Sequence, residues 1–163
     1  IMNYYFKYNS PLGEIIMKGD EIGLSSLQFE DFNNSYELKE TEIFKKTIKW
    51  LNLYFKGIEP NFNIPLNLSE TNFQKEVREI IQKIPFGKTL TYGEIAEIIA
   101  KKRNIKKMSN RAVGAALSKN PVLIIIPCHR VIGKNGSITG YRAGVKIKEE
   151  LLKLEKNKGL GLK

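Results

Sequence analysis

Thiols and imidazoles are almost absent from this chain. Its 163 residues include one cysteine, Cys128, and one histidine, His129. An internal disulfide is therefore excluded, and a reducing, cytoplasmic setting is the expectation. A structural zinc site draws on four Cys, His or carboxylate ligands, so no metal is expected. No glycine-rich phosphate loop is visible either, so no cofactor is expected. Long apolar runs are missing as well: the longest aliphatic stretch, Val122 to Ile126, is far short of the ~20 residues of a membrane span. No charged, apolar and cleavable pattern opens the sequence, so no secretory signal is expected. The sequons at Asn33-Asn34-Ser35 and Asn67-Leu68-Ser69 then read as chance. What remains is a globular chain, 42% hydrophobic and 27% charged, long enough to bury ~70% of its unfolded surface without cross-links. A monomer is expected.

Acidic charge is scarce in only one part of the chain. Residues 1–68 carry 7 basic and 9 acidic side chains, whereas residues 69–163 carry 20 and 8. Only the second part is suited to a polyanion, by a net charge of +12 against −2. Charge alone leaves a solvated lysine-rich surface equally open.

The hydropathy pattern changes at the same place. Tyr4–Tyr8, Glu14–Lys18 and Gly23–Phe29 read as strands separated by Asn9-Ser10-Pro11-Leu12-Gly13 and Gly19-Asp20, an antiparallel meander. Residues 30–36 read as a polar loop. Glu37 to Lys56 reads as a helix, with Phe44, Ile48, Leu51 and Phe55 at helical spacing. Asn61 to Leu68, with one proline and no period, reads as a linker. Beyond it, Thr71-Asn72-Phe73-Gln74 and Thr91-Tyr92-Gly93-Glu94 are capping boxes. Between them Phe73, Val77, Ile80, Ile81 and Ile84 form an apolar face. Ser109 caps a further helix running to Lys119. Two short helices joined by the basic loop Lys101-Lys102-Arg103 and Lys106-Lys107 suggest a helix-turn-helix. Val122 to Ile126 reads as a buried strand, Gly133 to Gly140 as a glycine-rich loop and Val145 to Lys156 as a final helix. The pattern predicts an α+β protein. A small antiparallel sheet with a helix occupies residues 1–68, and a mostly helical domain of winged-helix character occupies 69–163.

Cys128 and His129 follow the aliphatic stretch and Pro127. Taken alone, a buried Cys is a small hydrophobe. A reactive one needs a base, because a free thiol titrates at about 8.5 and is mostly protonated at neutral pH. In an extended segment neighbouring side chains point to opposite faces. His129 would then reach the sulfur only through water, unless the chain turns sharply there. Its imidazole would need an orienting carboxylate, for which Glu155 is a candidate.

Ile126-Pro127-Cys128-His129-Arg130-Val131 resembles the active-site signature of the O6-alkylguanine-DNA alkyltransferases. The likeness covers nearly the whole chain. It extends through Ser10-Pro11-Leu12-Gly13, Trp50 to Phe55, Phe86 to Ala96, Arg111-Ala112-Val113-Gly114, Asn120-Pro121, Gly140-Tyr141-Arg142 and Lys148 to Glu155. The resemblance implies a single-use repair protein for double-stranded DNA carrying O6-alkylguanine. Cys128 would accept the alkyl group, and His129, held by Glu155, would take the thiol proton through water. Tyr92 would donate to the purine N3, and Arg111 would fill the stack vacated by the flipped base. Asn120 would tie the helix-turn-helix to the active-site loop. Val131, Tyr141 and the backbone around Arg142 would line the pocket, and Arg130 would join the DNA-contacting set. Small Ala112 and Gly114 would let the Arg111 helix approach a minor groove closely.

The chemistry agrees with these roles. An alkyl carbon inside a duplex is out of reach until the base leaves the stack, and an inserted side chain can then cover the gap. Leu123 stands where some members have proline, and Ala143 where members vary between small residues and tryptophan. Both leave the accepted alkyl size open. Three rivals fit less of the sequence. A relative that binds damage without repairing it replaces the cysteine, a Cys/His hydrolase has no use for Arg111 and Tyr92, and a helix-turn-helix regulator leaves the cysteine motif unexplained.

Overall fold

A computed structural model describes residues 2–29 and 35–157. The chain divides into two compact units, Ile1–Ser69 with Pro121–Leu123 and Lys153–Lys163, and Glu70–Asn120 with Ile124–Leu152. Among the described residues no helix is long and apolar enough to cross a membrane.

The first unit is built on a four-stranded sheet. Strands β1 (Tyr4–Ser10), β2 (Gly13–Gly19) and β3 (Leu24–Gln28) form the expected antiparallel meander. Ile15, Ile16 and Met17 are all buried on the central strand β2, as expected of a strand covered on both faces. A fourth strand, β4 (Glu37–Leu38), lies parallel to β1, giving the order β3-β2-β1-β4. Glu37 and Leu38 therefore belong to the sheet, and the helix expected to start there begins later, as α1 (Glu42–Phe55). The reason is local: the Thr41 side chain accepts from the Phe44 amide, fixing the N-cap at residue 41. The helix buries Phe44, Thr47, Trp50, Leu51 and Tyr54, while Ile48 and Phe55 are only half-buried. Of the polar loop expected over 30–36, residues 30–34 lie outside the described residues.

The expected linker is tied to the sheet. Leu24 donates to Pro65 O and accepts from the Asn67 amide, at 2.8 and 2.9 Å. A Cβ on Gly23 would stand 2.6 Å from the Leu66 carbonyl carbon, so only glycine admits this approach. Asp20 locks the same corner: its carboxylate accepts from the Ile22 and Gly23 amides and from Asn67 Nδ2.

The second unit contains α2 (Asn72–Ile81), α3 (Tyr92–Arg103) and α4 (Asn110–Ser118), and the helix α5 (Val145–Lys156) begins in it. Both capping boxes form as the sequence predicts, Thr71 with Gln74 and Thr91 with Glu94, and Ser109 caps α4. Helix α3 ends at Asn104 in a left-handed conformation. Helices α3 and α4 are the helix-turn-helix pair. A short parallel pairing of β5 (Leu90–Thr91) with β6 (Val131–Ile132) was not foreseen. Two-residue strands carry no periodicity.

The aliphatic stretch before Cys128 is not a strand. Val122 forms an isolated bridge with Leu27, within the first unit. Ile124 then takes φ 69°, which ends any extended run. A β-branched residue in this region is strained, and the stretch continues in turns to Ile126.

Candidate active site

The signature residues occupy a sharp turn. Cys128–Arg130 form one turn of 3₁₀ helix, with the Arg130 amide donating to Pro127 O and the Val131 amide to Cys128 O. This replaces the extended geometry in which Cys128 and His129 face opposite ways. Cys128 is 8% exposed and His129 fully buried. The His129 ring meets Tyr141 edge-on, with centroids 6.4 Å apart.

Asn120, two residues beyond α4, points its side chain at this turn. Its Nδ2 donates to Cys128 Sγ at 3.1 Å and to Ile126 O at 3.2 Å. Burial pushes the Cys128 thiol above its ordinary value, while Asn120 and the charges of Lys148 and Arg142 pull the other way and only reduce the rise. The resting sulfur is a neutral thiol, so its proton must be removed during any reaction in which it attacks.

A cavity of about 380 Å³ opens on Cys128, a size typical of sites for small organic groups. The helix-turn-helix contributes Tyr92, Gly114 and Leu117 to its walls, and the loop before α5 contributes Gly140, Tyr141 and Arg142. A Cβ on Gly114 would lie 3.9 Å from the Tyr92 ring, so glycine here leaves one methyl's worth of room beside the phenol. The structure thus brings Tyr92, Gly114, Asn120, Cys128, Tyr141 and Arg142 to one place. Val131 is fully buried in β6 beneath the turn. Arg111 and Ala112 lie in the first turn of α4, Arg111 exposed and Ala112 half-buried. Lys101, Lys102 and Arg103 form the last turn of α3, not the basic loop expected there, and Lys106 and Lys107 follow in the loop; all five are exposed. Arg103 is additionally paired with Glu76.

One expectation is overturned. Arg130 is buried, donates to Ile84 O at 2.8 Å and stacks its guanidinium 5.7 Å from the Phe86 ring centre. It braces the cysteine turn and is not a surface for phosphates. Glu155 is buried in the first unit, where Tyr54 Oη donates to it at 2.6 Å. Sequence reasoning assigned no role to Lys148, which is fully buried. The signal was available: Lys148, Leu151 and Glu155 recur at helical spacing, which puts the lysine on the inward stripe of α5. Among the described residues no group of three potential metal ligands occurs.

Fold and site together define a helix-turn-helix protein with a pocketed, hydrogen-bonded cysteine. Residues 72–157 match the DNA-binding domain of 6-O-methylguanine DNA methyltransferase, and residues 3–68 match its ribonuclease-like domain. The methylated-DNA–protein-cysteine methyltransferase of Methanosarcina acetivorans is 43% identical over 157 residues, covering 93% of this chain and 97% of that one. That of Saccharolobus islandicus is 45% identical over 157 residues, covering 94% and 96%. The Mycobacterium tuberculosis OGT solved in complex with DNA superimposes with a TM-score of 0.84 at 36% identity, covering 98% of each chain. The chain belongs to the 6-O-methylguanine DNA methyltransferase family.

Proposed function

We propose that this protein repairs DNA by direct reversal, moving the alkyl group of O6-alkylguanine onto Cys128, and that it acts once per molecule. The observation that carries the reading is the cysteine itself: a buried sulfur held 3.1 Å from Asn120 Nδ2 at the end of a cavity walled by helix-turn-helix residues. Sulfur attack forms the S–C bond as the C–O6 bond breaks, and the electron pair passes to the purine. One proton leaves the thiol through His129, with Glu155 as its orienting carboxylate, and one returns to the purine, so guanine is restored. Tyr92, at the cavity wall, donates to N3 and stabilises the developing purine anion. The guanine amino group donates to the carbonyls of Cys128 and Val131, while Tyr141 and the backbone at Arg142 hold the base. Arg111, exposed at the start of α4, fills the gap left by the flipped base.

A thioether is a poor leaving group, and the only thiol in the chain is the one consumed. Product should therefore rise to one equivalent and stop. Intact-mass measurement after mixing with O6-methylguanine duplex tests this: one methyl in place of one hydrogen, on Cys128, is the expected result. Product continuing well beyond one equivalent would show a turnover enzyme instead. We place this activity in the cytoplasm and in a monomer.

A further inference from the structure

Two cations, Lys148 and Arg142, favour the thiolate of Cys128, and their own donors are disposed in opposite ways. Lys148 is fully buried and donates inward, from Nζ to Thr139 O at 2.7 Å and to Gly140 O at 3.3 Å. Arg142 is exposed, and it is the one charged side chain among the described residues that line the cavity. Its Nη1 donates to Asn120 O at 3.2 Å. Among the described residues no carboxylate pairs with it. A guanidinium carries five N–H donors in a planar fork. The bond to Asn120 uses one of them and leaves the exposed remainder of the fork for a further acceptor.

The site of that bond gives it a consequence. Asn120 Nδ2 also donates to Cys128 Sγ at 3.1 Å and to Ile126 O at 3.2 Å. A single residue therefore joins the guanidinium to the sulfur, and an acceptor held on the open edge of Arg142 stands at a set offset from Sγ. The acceptor's chemistry follows from what enters the cavity. A flipped base occupies the pocket while its sugar and flanking phosphates stay at the mouth. A phosphate presents two anionic oxygens, the arrangement that a guanidinium fork matches in a bidentate pair.

We propose that the Arg142 guanidinium binds a backbone phosphate beside the extruded nucleotide and, through its bond to Asn120, sets how deep that nucleotide sits relative to Cys128. This rests on the alkyl-transfer reading above, which uses only the backbone at Arg142. The exposed lysines of the helix-turn-helix supply affinity for phosphates without regard to where the lesion lies. Arg142 differs from them in being tied, through Asn120, to the reacting atom, so its phosphate contact bears on rate as well as on affinity.

The test crosses residue with phosphate. Methyl transfer is timed at subsaturating DNA for wild type and Arg142→Met, on O6-methylguanine duplexes in which each phosphate flanking the lesion is replaced in turn by a neutral methylphosphonate. In wild type, replacement at one flanking position should slow transfer by roughly tenfold or more. Arg142→Met should be slowed to a similar extent on the unmodified duplex, and replacing that same phosphate should then slow it no further. At the other phosphates the two losses should multiply. The affinity of Arg142→Met for duplex should also fall less steeply with salt, by about one phosphate. Arg142→Lys, which keeps the charge without the fork, should fall between the two proteins. Losses that multiply at every position, or an unchanged salt slope, would overturn the proposal and leave Arg142 as a brace for Asn120 alone. A wild-type protein that accepts no alkyl group would break the repair reading instead, and the same cycle read as affinity for the lesion duplex would still decide whether Arg142 holds a phosphate.

Discussion

The two units bury polar groups to different ends. In the first, Asp20 spends its hydrogen bonds on its own turn and on Asn67, and the outcome is a locked corner of the sheet. In the second, Asn120 and Lys148 both direct their donors at the cysteine turn or the wall of its cavity. Backbone strain divides the same way. Positive φ in described residues of the first unit falls on glycine alone, whereas the second also places Asn104, Ile124 and Asn135 there. Polar burial in one unit secures a corner of the sheet; in the other it holds the cysteine turn and the wall of its cavity.

Substitutions can break that comparison, beginning with the largest effect. Cys128→Ser should abolish alkyl transfer completely while leaving duplex binding within about twofold in a gel-shift titration, since the exposed basic loop is untouched. Residual transfer by this variant would remove Cys128 from its role. Arg111→Ala comes next: extrusion of the base, read with a fluorescent analogue, should weaken by roughly 1–3 kcal/mol, the scale of unstacking a step. Its salt-dependent binding should weaken far less, and equal losses in both would make Arg111 an ordinary phosphate contact.

A matched pair sharpens the contrast. Asp20→Ala and Asn120→Ala should each lower unfolding free energy by about 1–3 kcal/mol in urea, because each strands buried groups. Only Asn120→Ala should also slow methyl transfer, since only Asn120 touches the sulfur. A slowed Asp20→Ala would show that the first unit's polar network serves the chemistry after all.

The smallest effect is on stability against pH. Burial raises the Cys128 thiol above its ordinary value. The folded protein then keeps this proton after the unfolded chain has released it. The resulting stability is complete below about 9 and is lost as pH rises through the folded thiol's pKa. Lys148, whose pKa is lowered by burial, works in the opposite direction at alkaline pH. Subtracting the profile of Cys128→Ser from that of wild type isolates the thiol. A flat difference above pH 9 would mean the thiol titrates as it does in the unfolded chain.

Much of this was legible beforehand wherever one residue's chemistry settles local geometry. Thr71, Thr91 and Ser109 start helices because their hydroxyls meet orphan amides, and no distant contact is needed to know it. The signature at Pro127-Cys128-His129 marked a candidate site only through its resemblance to a family, because Cys128 and His129 taken alone also fit a plain core. What failed depended on partners far along the chain. Glu37 and Leu38 have helical neighbours but pair with β1. Val122 to Ile126 is aliphatic enough for a strand but forms an isolated bridge with Leu27 instead. Arg130 looked like a DNA ligand because its charge is visible in sequence and its carbonyl acceptor, Ile84 O, is 46 positions away.

The scarcity of certain side chains gives each unit a private reporter. Trp50, the only indole in the chain, is packed in the first unit with its ring stacked on Tyr54 at 5.5 Å. The only thiol and the only imidazole are neighbours in the second. Tryptophan fluorescence therefore follows melting of the first unit through α1, while a single imidazole resonance and a single sulfur's reactivity follow the reactive turn. Recorded together on unlabelled, unmutated protein, the two signals would show whether the halves of this molecule come apart at one temperature or at two.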